Sequence, residues 1–246
     1  LSPLGATTLI SSVYDPSSAR SINSLPHEWS VRVGRGIGQV QVLEENQHKI
    51  MRLETENGSI SLFRLLTVNV FENPVVSWEW KGLTLPAGAS GAQEQRDDHG
   101  VGFYLIFSSG DVPGRTTALG YVWENVLPVG TSMTRPDDPT VRYIVVRSGR
   151  DQLGKWLTQE RNVLVDYRRS LGDEPLRLRG MSLVVDSDQT HSQAASLFGP
   201  IRFSPENSVD TGKQEQTRDQ PGVSRQNKLL GTLLMYLGLK HPGGPN

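Results

Sequence analysis

Val75–Trp80 reads VVSWEW, and its strict alternation decides the fold: Val76, Trp78 and Trp80 fall on one side of an extended chain, Val75, Ser77 and Glu79 on the other. A period of two with both indoles on one side is a half-buried strand that fills a core. Upstream, Val31 and Val33, Val40 and Val42, Ile50 to Leu53, and Ile60 to Phe63 repeat the extended signature, punctuated by Gly34, Gly36, Gly38 and Gly58. Downstream, Val101–Phe107, Ala118–Trp123, Val141–Val146, Met181–Val185 and Ile201–Phe203 read as further strands. Pro86–Gly100 has no apolar period and reads as a long surface loop. One central helix is expected over Leu157–Leu171, where Leu157, Val163, Leu164, Tyr167 and Leu171 make a stripe that Gly172 terminates. Short strands without repeated helical crossovers give a mainly β fold, an antiparallel β-sandwich. Its interior is expected to hold Trp78, Trp80, Phe103, Leu105, Val145, Leu183 and Val185.

The chain has 246 residues, with 25 Lys plus Arg against 26 Asp plus Glu, so no net field draws in nucleic acid or an anionic membrane. Cysteine is absent, which excludes disulfides, thiolate metal sites and cysteine catalysis while leaving the compartment open. No apolar run reaches the roughly 18 residues that a spanning helix needs. The first residue is Leu, which points to a removed N-terminal piece such as an export signal. The organisation reads as an N-terminal arm over 1–26, a β-sandwich domain over 27–204, a polar linker over 205–224 and a helical tail over 225–246. In the tail, Leu229, Leu230, Leu233, Leu234 and Leu237 share one helical face, as a segment that binds a protein partner or a membrane surface would present.

Chemistry concentrates in WLTQERNVLVDYRRSLG (Trp156–Gly172) and VVDSDQT (Val184–Thr190). Arg161 and Asp166 are five apart, not a helical pair, and are expected to anchor the helix by bonding separately to strand or loop groups. Asp186, Asp188 and Thr190 recur every second residue, and two carboxylates with a hydroxyl suit a hard cation such as calcium. The competing reading makes Asp-Ser-Asp-Gln-Thr a turn and N-cap for a short helix around Ser192–Leu197. Asp98, Trp123, Trp156 and Glu160 form a candidate ligand set, with an indole as the floor of a groove. The five histidines are scattered without ligand spacing, so neither zinc nor a histidine-based triad is indicated. Gly34, Gly36 and Gly38 have no βαβ context for a dinucleotide.

SWEWKG (Ser77–Gly82), LGYVW (Leu119–Trp123), VRYIVVRSG (Val141–Gly149), Trp156 with ERNVLVDYRRSLG (Glu160–Gly172) and VVDSDQT occur in an order that resembles the bacterial domain-of-unknown-function family 3047, over about residues 27–204. The resemblance implies an exported β-sandwich of the jelly-roll or galactose-binding-like type with no established reaction. The chain departs from the family pattern at Gly102, where an Arg is expected after the Asp97–Asp98 pair, at Gly120, where an Asn is expected, and at Gly199–Ile201, where Gly-Asp-Ile is expected. The function expected is a non-catalytic structural or partner-binding component of an extracytoplasmic, periplasmic assembly, held through the arm and tail. The alternative is a carbohydrate-binding module, and a glycan-acting hydrolase is the third class. No catalytic residue is assigned, and calcium is the one cofactor considered.

Overall fold

The structure is a computed structural model, and it describes residues 11–14, 25, 28–45, 48–108, 116–136, 138–172 and 174–206. The alternating segments form thirteen strands and one α-helix among the described residues. The strands are β1 (Ser11–Tyr14), β2 (Trp29–Val33), β3 (Ile37–Glu45), β4 (His48–Glu56), β5 (Ser59–Leu65), β6 (Val75–Thr84), β7 (Val101–Ser108), β8 (Thr116–Glu124), β9 (Ser132–Arg135), β10 (Asp138–Ser148), β11 (Leu157–Asn162), β12 (Arg177–Asp186) and β13 (Gln193–Ser204), with α1 (Val163–Leu171) between β11 and β12. They build a six-stranded sheet, order β11-β6-β13-β4-β3 with β1 on β13, facing a seven-stranded sheet, order β2-β5-β12-β7-β8-β10-β9.

The core lies between the sheets, as alternation dictates. Trp78 packs on Phe103 and Tyr121 at 5.0 Å between ring centroids, and edge-on to Trp80 at 5.4 Å. The seven residues expected inside are all buried. Val145, however, belongs to a second cluster with Phe63, Tyr104, Ile106, Val122 and Tyr143 on the outer face of the seven-stranded sheet.

Three expectations need correction. Leu157–Asn162 is a strand, not the first turns of a helix: it pairs with β6 from Leu157↔Trp80 to Asn162↔Val75. The sheet ladder supplies backbone partners that a solvent-exposed turn would lack, and Asn162 then caps α1 by accepting from Val165 N at 3.1 Å. Gly172 ends α1 in the left-handed region, φ 75°, donating to Arg168 O. Ser192–Leu197 is no helix; from Gln193 on it is β13, paired with both β4 and β6. The antiparallel β-sandwich is as expected, with one parallel pair where β10 inserts between β8 and β9, antiparallel to β9 and parallel to β8. Finally, Pro86–Gly100 is no simple surface loop, since Asp97, Asp98 and His99 are buried within it.

Candidate functional site

At one end of the sandwich the β6–β7 loop meets the turn between β12 and β13. Asp98, Asp186 and Asp188 each place a ligand oxygen within 4.8 Å of the others. Asp98 accepts from Gln189 N at 3.1 Å, Thr190 N at 2.7 Å and Thr190 Oγ1 at 2.5 Å. Thr190, expected among the cation ligands, is therefore bonded to Asp98. Asp186 takes its own loop contact through its backbone, N–H to His99 O at 2.9 Å, and its Oδ1 accepts from Asp188 N at 3.2 Å. Burial, then the charges of Asp188 and Asp98, push the Asp186 carboxyl well above the usual carboxylate range. Burial and Asp98 raise Asp188 too. Ser59 is the cross-strand partner of Asp186 and faces the same side of the sheet. Its hydroxyl is fully buried and has no hydrogen-bond partner. An orphan oxygen beside converging carboxylates is a donor set that fits a hard cation.

Beside this cluster lies a fully enclosed polar group that sequence reading did not assemble. Tyr143 Oη donates toward Asp97 Oδ1 at 3.0 Å and Gly91 O at 2.9 Å, while Glu124 accepts from Gly91 N at 2.8 Å. His99 Nε2 sits 3.6 Å from Glu124 and 3.8 Å from Asp97. Neither carboxylate is within hydrogen-bond reach, so burial, aided by the Arg135 charge, prevails and holds the imidazole neutral, its pKa lowered to about 3. No spacing announces this group: its members come from three strands and a loop.

Arg161 and Asp166 bond each other, against the expectation of separate partners. Arg161 Nε and Nη2 donate to the two carboxylate oxygens at 2.7 and 2.6 Å, and Tyr121 Oη donates to Oδ2 at 3.1 Å. The pair became reachable because Arg161 stands on β11 and Asp166 in the first turn of α1, so the five-residue spacing spans a strand-to-helix corner.

The candidate ligand set disperses. Trp123 is 1% exposed and packs on Trp80 in the core, so it floors no groove. Asp98 belongs to the acidic cluster. Trp156 and Glu160 do share a surface, the outer face of the six-stranded sheet at β11 and β6. There Lys81 Nζ lies 5.1 Å from the centroid of the Trp156 ring, and the indole Nε1 donates to Glu45 Oε1 at 3.2 Å. Glu160 is exposed on the same strand face. The leucines of the tail, Leu229 to Leu237, lie outside the described residues, whereas Ser11–Tyr14 of the arm pairs with β13.

Two departures from the family pattern have one structural basis. A Cβ at Gly102 would lie 2.8 Å from the Tyr104 ring, and one at Gly120 would lie 2.4 Å from it. The ring therefore occupies the space that side chains at both positions would need.

The sequence profile of a family described as "Protein of unknown function (DUF3047)" matches residues 27–202. Among curated proteins none matches the chain. Of solved structures, the chain is similar to the family 11 carbohydrate-binding module of cellulosomal cellulase Lic26A-Cel5E of Clostridium thermocellum, at 10% identity over 81% of this chain and 96% of that one, TM-score 0.45. It is similar to a family 30 carbohydrate-binding module at 11% identity, 85% and 93% coverage, TM-score 0.45. The xyloglucanase domain of NopAA from Sinorhizobium fredii gives 10% identity, 76% and 100% coverage, TM-score 0.44. Binding modules and an enzyme domain stand side by side, and at such values the likeness says nothing of ligand or reaction.

Proposed function

We propose that this chain, which belongs to the DUF3047 family, is a non-catalytic carbohydrate-binding module of an extracytoplasmic protein, rigidified by one calcium ion. The observation that carries the reading is Trp156. A half-buried indole stands on the outer face of the six-stranded sheet, its N–H fixed by Glu45 and its ring above the Lys81 ammonium. The Lys81 side chain is only 12% exposed beneath the ring, and the indole itself stays partly exposed. A fixed aromatic face can stack on the C–H face of a pyranose, with the exposed carboxylate of Glu160 on the same sheet face as an acceptor for its hydroxyls. No helix among the described residues is long and apolar enough to cross a membrane.

The cation reading rests on the donor set. Asp98, Asp186 and Asp188 would supply carboxylate oxygens and Ser59 a hydroxyl, joining the β6–β7 loop to the end of β12. Calcium bound there would add to the positive charge that Arg135, and at Asp188 also Arg35, already bring to these carboxylates, whose burial and mutual repulsion still dominate. Asp98 already accepts three hydrogen bonds, which dilutes its charge and favours a calcium site of weak rather than tight affinity.

Affinity electrophoresis of the intact chain and of Trp156→Ala through gels containing soluble β-glucan, mannan or xylan tests the function. Retardation of the parent by at least one polymer, lost in the variant, is expected. Equal mobility of both proteins in every gel would overturn the reading.

A further inference from the structure

The outer face of the six-stranded sheet carries a hollow beyond Trp156, and the strand register explains it. Ile37, Glu56 and Gln193 form one transverse row across β3, β4 and β13, and Gln39, Glu54 and Ala195 form the next. A bulge sets Thr84 of β6 opposite Ala195. All these side chains leave the sheet on its outer side, but Ala195 ends at a methyl group while its neighbours are long. The face therefore sinks above Ala195 into a cavity of about 240 Å³. From Lys81, beneath Trp156, to Thr84 at the rim is three residues of β6, roughly 10 Å at strand rise.

The walls select a ligand by their chemistry. Gln39 and Gln193 each offer two donors and an acceptor, Thr84 does both with one hydroxyl, and Glu54 and Glu56 accept only. This mixture matches hydroxyl groups, which donate and accept at the same atom. Ile37 is 54% exposed and gives an aliphatic wall for C–H groups. No basic residue lines the cavity, and one Glu54 oxygen is taken by the Arg52 guanidinium, two residues back on the same strand and outside the lining. An anionic sugar entering here would meet the Glu56 carboxylate and a Glu54 carboxylate already paired with Arg52, with no cation in the lining itself to receive it.

We infer that the hollow above Ala195 is a subsite for one unit of a glycan that lacks anionic groups, and that together with Trp156 it sets the length and charge class of the ligand. The inference rests on the carbohydrate reading above. Its test is titration calorimetry of the full chain against soluble β-glucan, mannan and xylan as uncharged polymers and polygalacturonate and alginate as anionic ones. Ala195→Leu fills the hollow, and Gln39→Ala with Gln193→Ala strips its amides; neither touches the core between the sheets. The parent is expected to bind an uncharged polymer and neither anionic one, and each variant to bind about tenfold more weakly with an unchanged thermal midpoint. Variants that keep affinity within about twofold, or a parent that binds the anionic polymers as tightly, overturn the subsite while leaving carbohydrate binding in place. A parent that binds none of the five polymers defeats the carbohydrate reading and this inference with it.

Discussion

Replacing Asp186 by Asn separates a cation site from a plain turn, because the two readings predict changes of opposite sign. Asp186 lies among Asp98, Asp188 and the orphan Ser59 hydroxyl, and burial with like charge raises its carboxyl. Without a cation, burial and the neighbouring carboxylates oppose ionisation of Asp186 in the folded state, so the uncharged, nearly isosteric amide should leave stability at neutral pH equal or higher in chelator. With calcium the order reverses. A site of about 1 mM affinity, typical of extracytoplasmic modules, gains roughly 1.4 kcal/mol at about 10 mM calcium by mass action. For a domain of this size that raises the thermal midpoint by about 3 to 6 °C. Differential scanning calorimetry of the parent and Asp186→Asn, each in chelator and in calcium, gives all four midpoints. The parent should show the shift and the variant should not. If calcium leaves the parent unmoved while the variant melts lower in chelator, the carboxylate is a structural turn acceptor and the cation reasoning is wrong.

Asp166→Ala removes both charge-assisted bonds to Arg161 and leaves the buried Tyr121 hydroxyl without its acceptor. Because Arg161 is 35% exposed and can rehydrate, urea titration should show a loss of about 2 to 3 kcal/mol, below that of a fully buried pair; a loss under about 0.5 kcal/mol would remove the anchor from the account. His99 is held neutral with a pKa near 3, below its unfolded value, so its contribution is present above about pH 6.5 and fades as pH falls toward 3, where only the unfolded chain takes the proton. Asp186, raised by burial, works in the other direction, its contribution lost as pH rises through its folded pKa. His99→Gln should therefore flatten the acid limb of a stability-against-pH curve, and an unaltered limb contradicts this. Gly120→Ala forces a methyl against the Tyr104 ring and should cost about 1 to 3 kcal/mol. Combining it with Tyr104→Ala should cost less than the sum of the two, and strict additivity would show that ring and glycine do not share the space.

The alternation of VVSWEW and its neighbours was enough to read the sandwich and its interior, because burial on one face imposes period two on every strand. What it could not show was which of two periods wins where charged residues are dense. Gln159 and Arg161 face inward and Thr158 and Glu160 outward along β11, yet the same letters also admit a helical stripe. Asn162, a ready N-cap three residues before the Val165 amide it receives, was the overlooked signal for the true helix start. At the acidic cluster, Asp186 and Asp188 were legible from spacing, but their convergence with Asp98 and Ser59 depends on a loop contact and a cross-strand register. The Ala195 hollow is likewise a product of register, visible only once β3, β4, β13 and β6 are laid side by side.

The most direct test of the carbohydrate-binding face is the set of five tryptophan indole N–H resonances in a ¹H–¹⁵N spectrum during titration with a soluble uncharged oligosaccharide. Trp29, Trp78, Trp80 and Trp123 are buried, and Trp156 stands at the outer face of the six-stranded sheet. The account predicts that the Trp156 indole signal shifts and saturates while the other four stay in place. A ligand that binds without moving Trp156, or that shifts Trp123 instead, would contradict it.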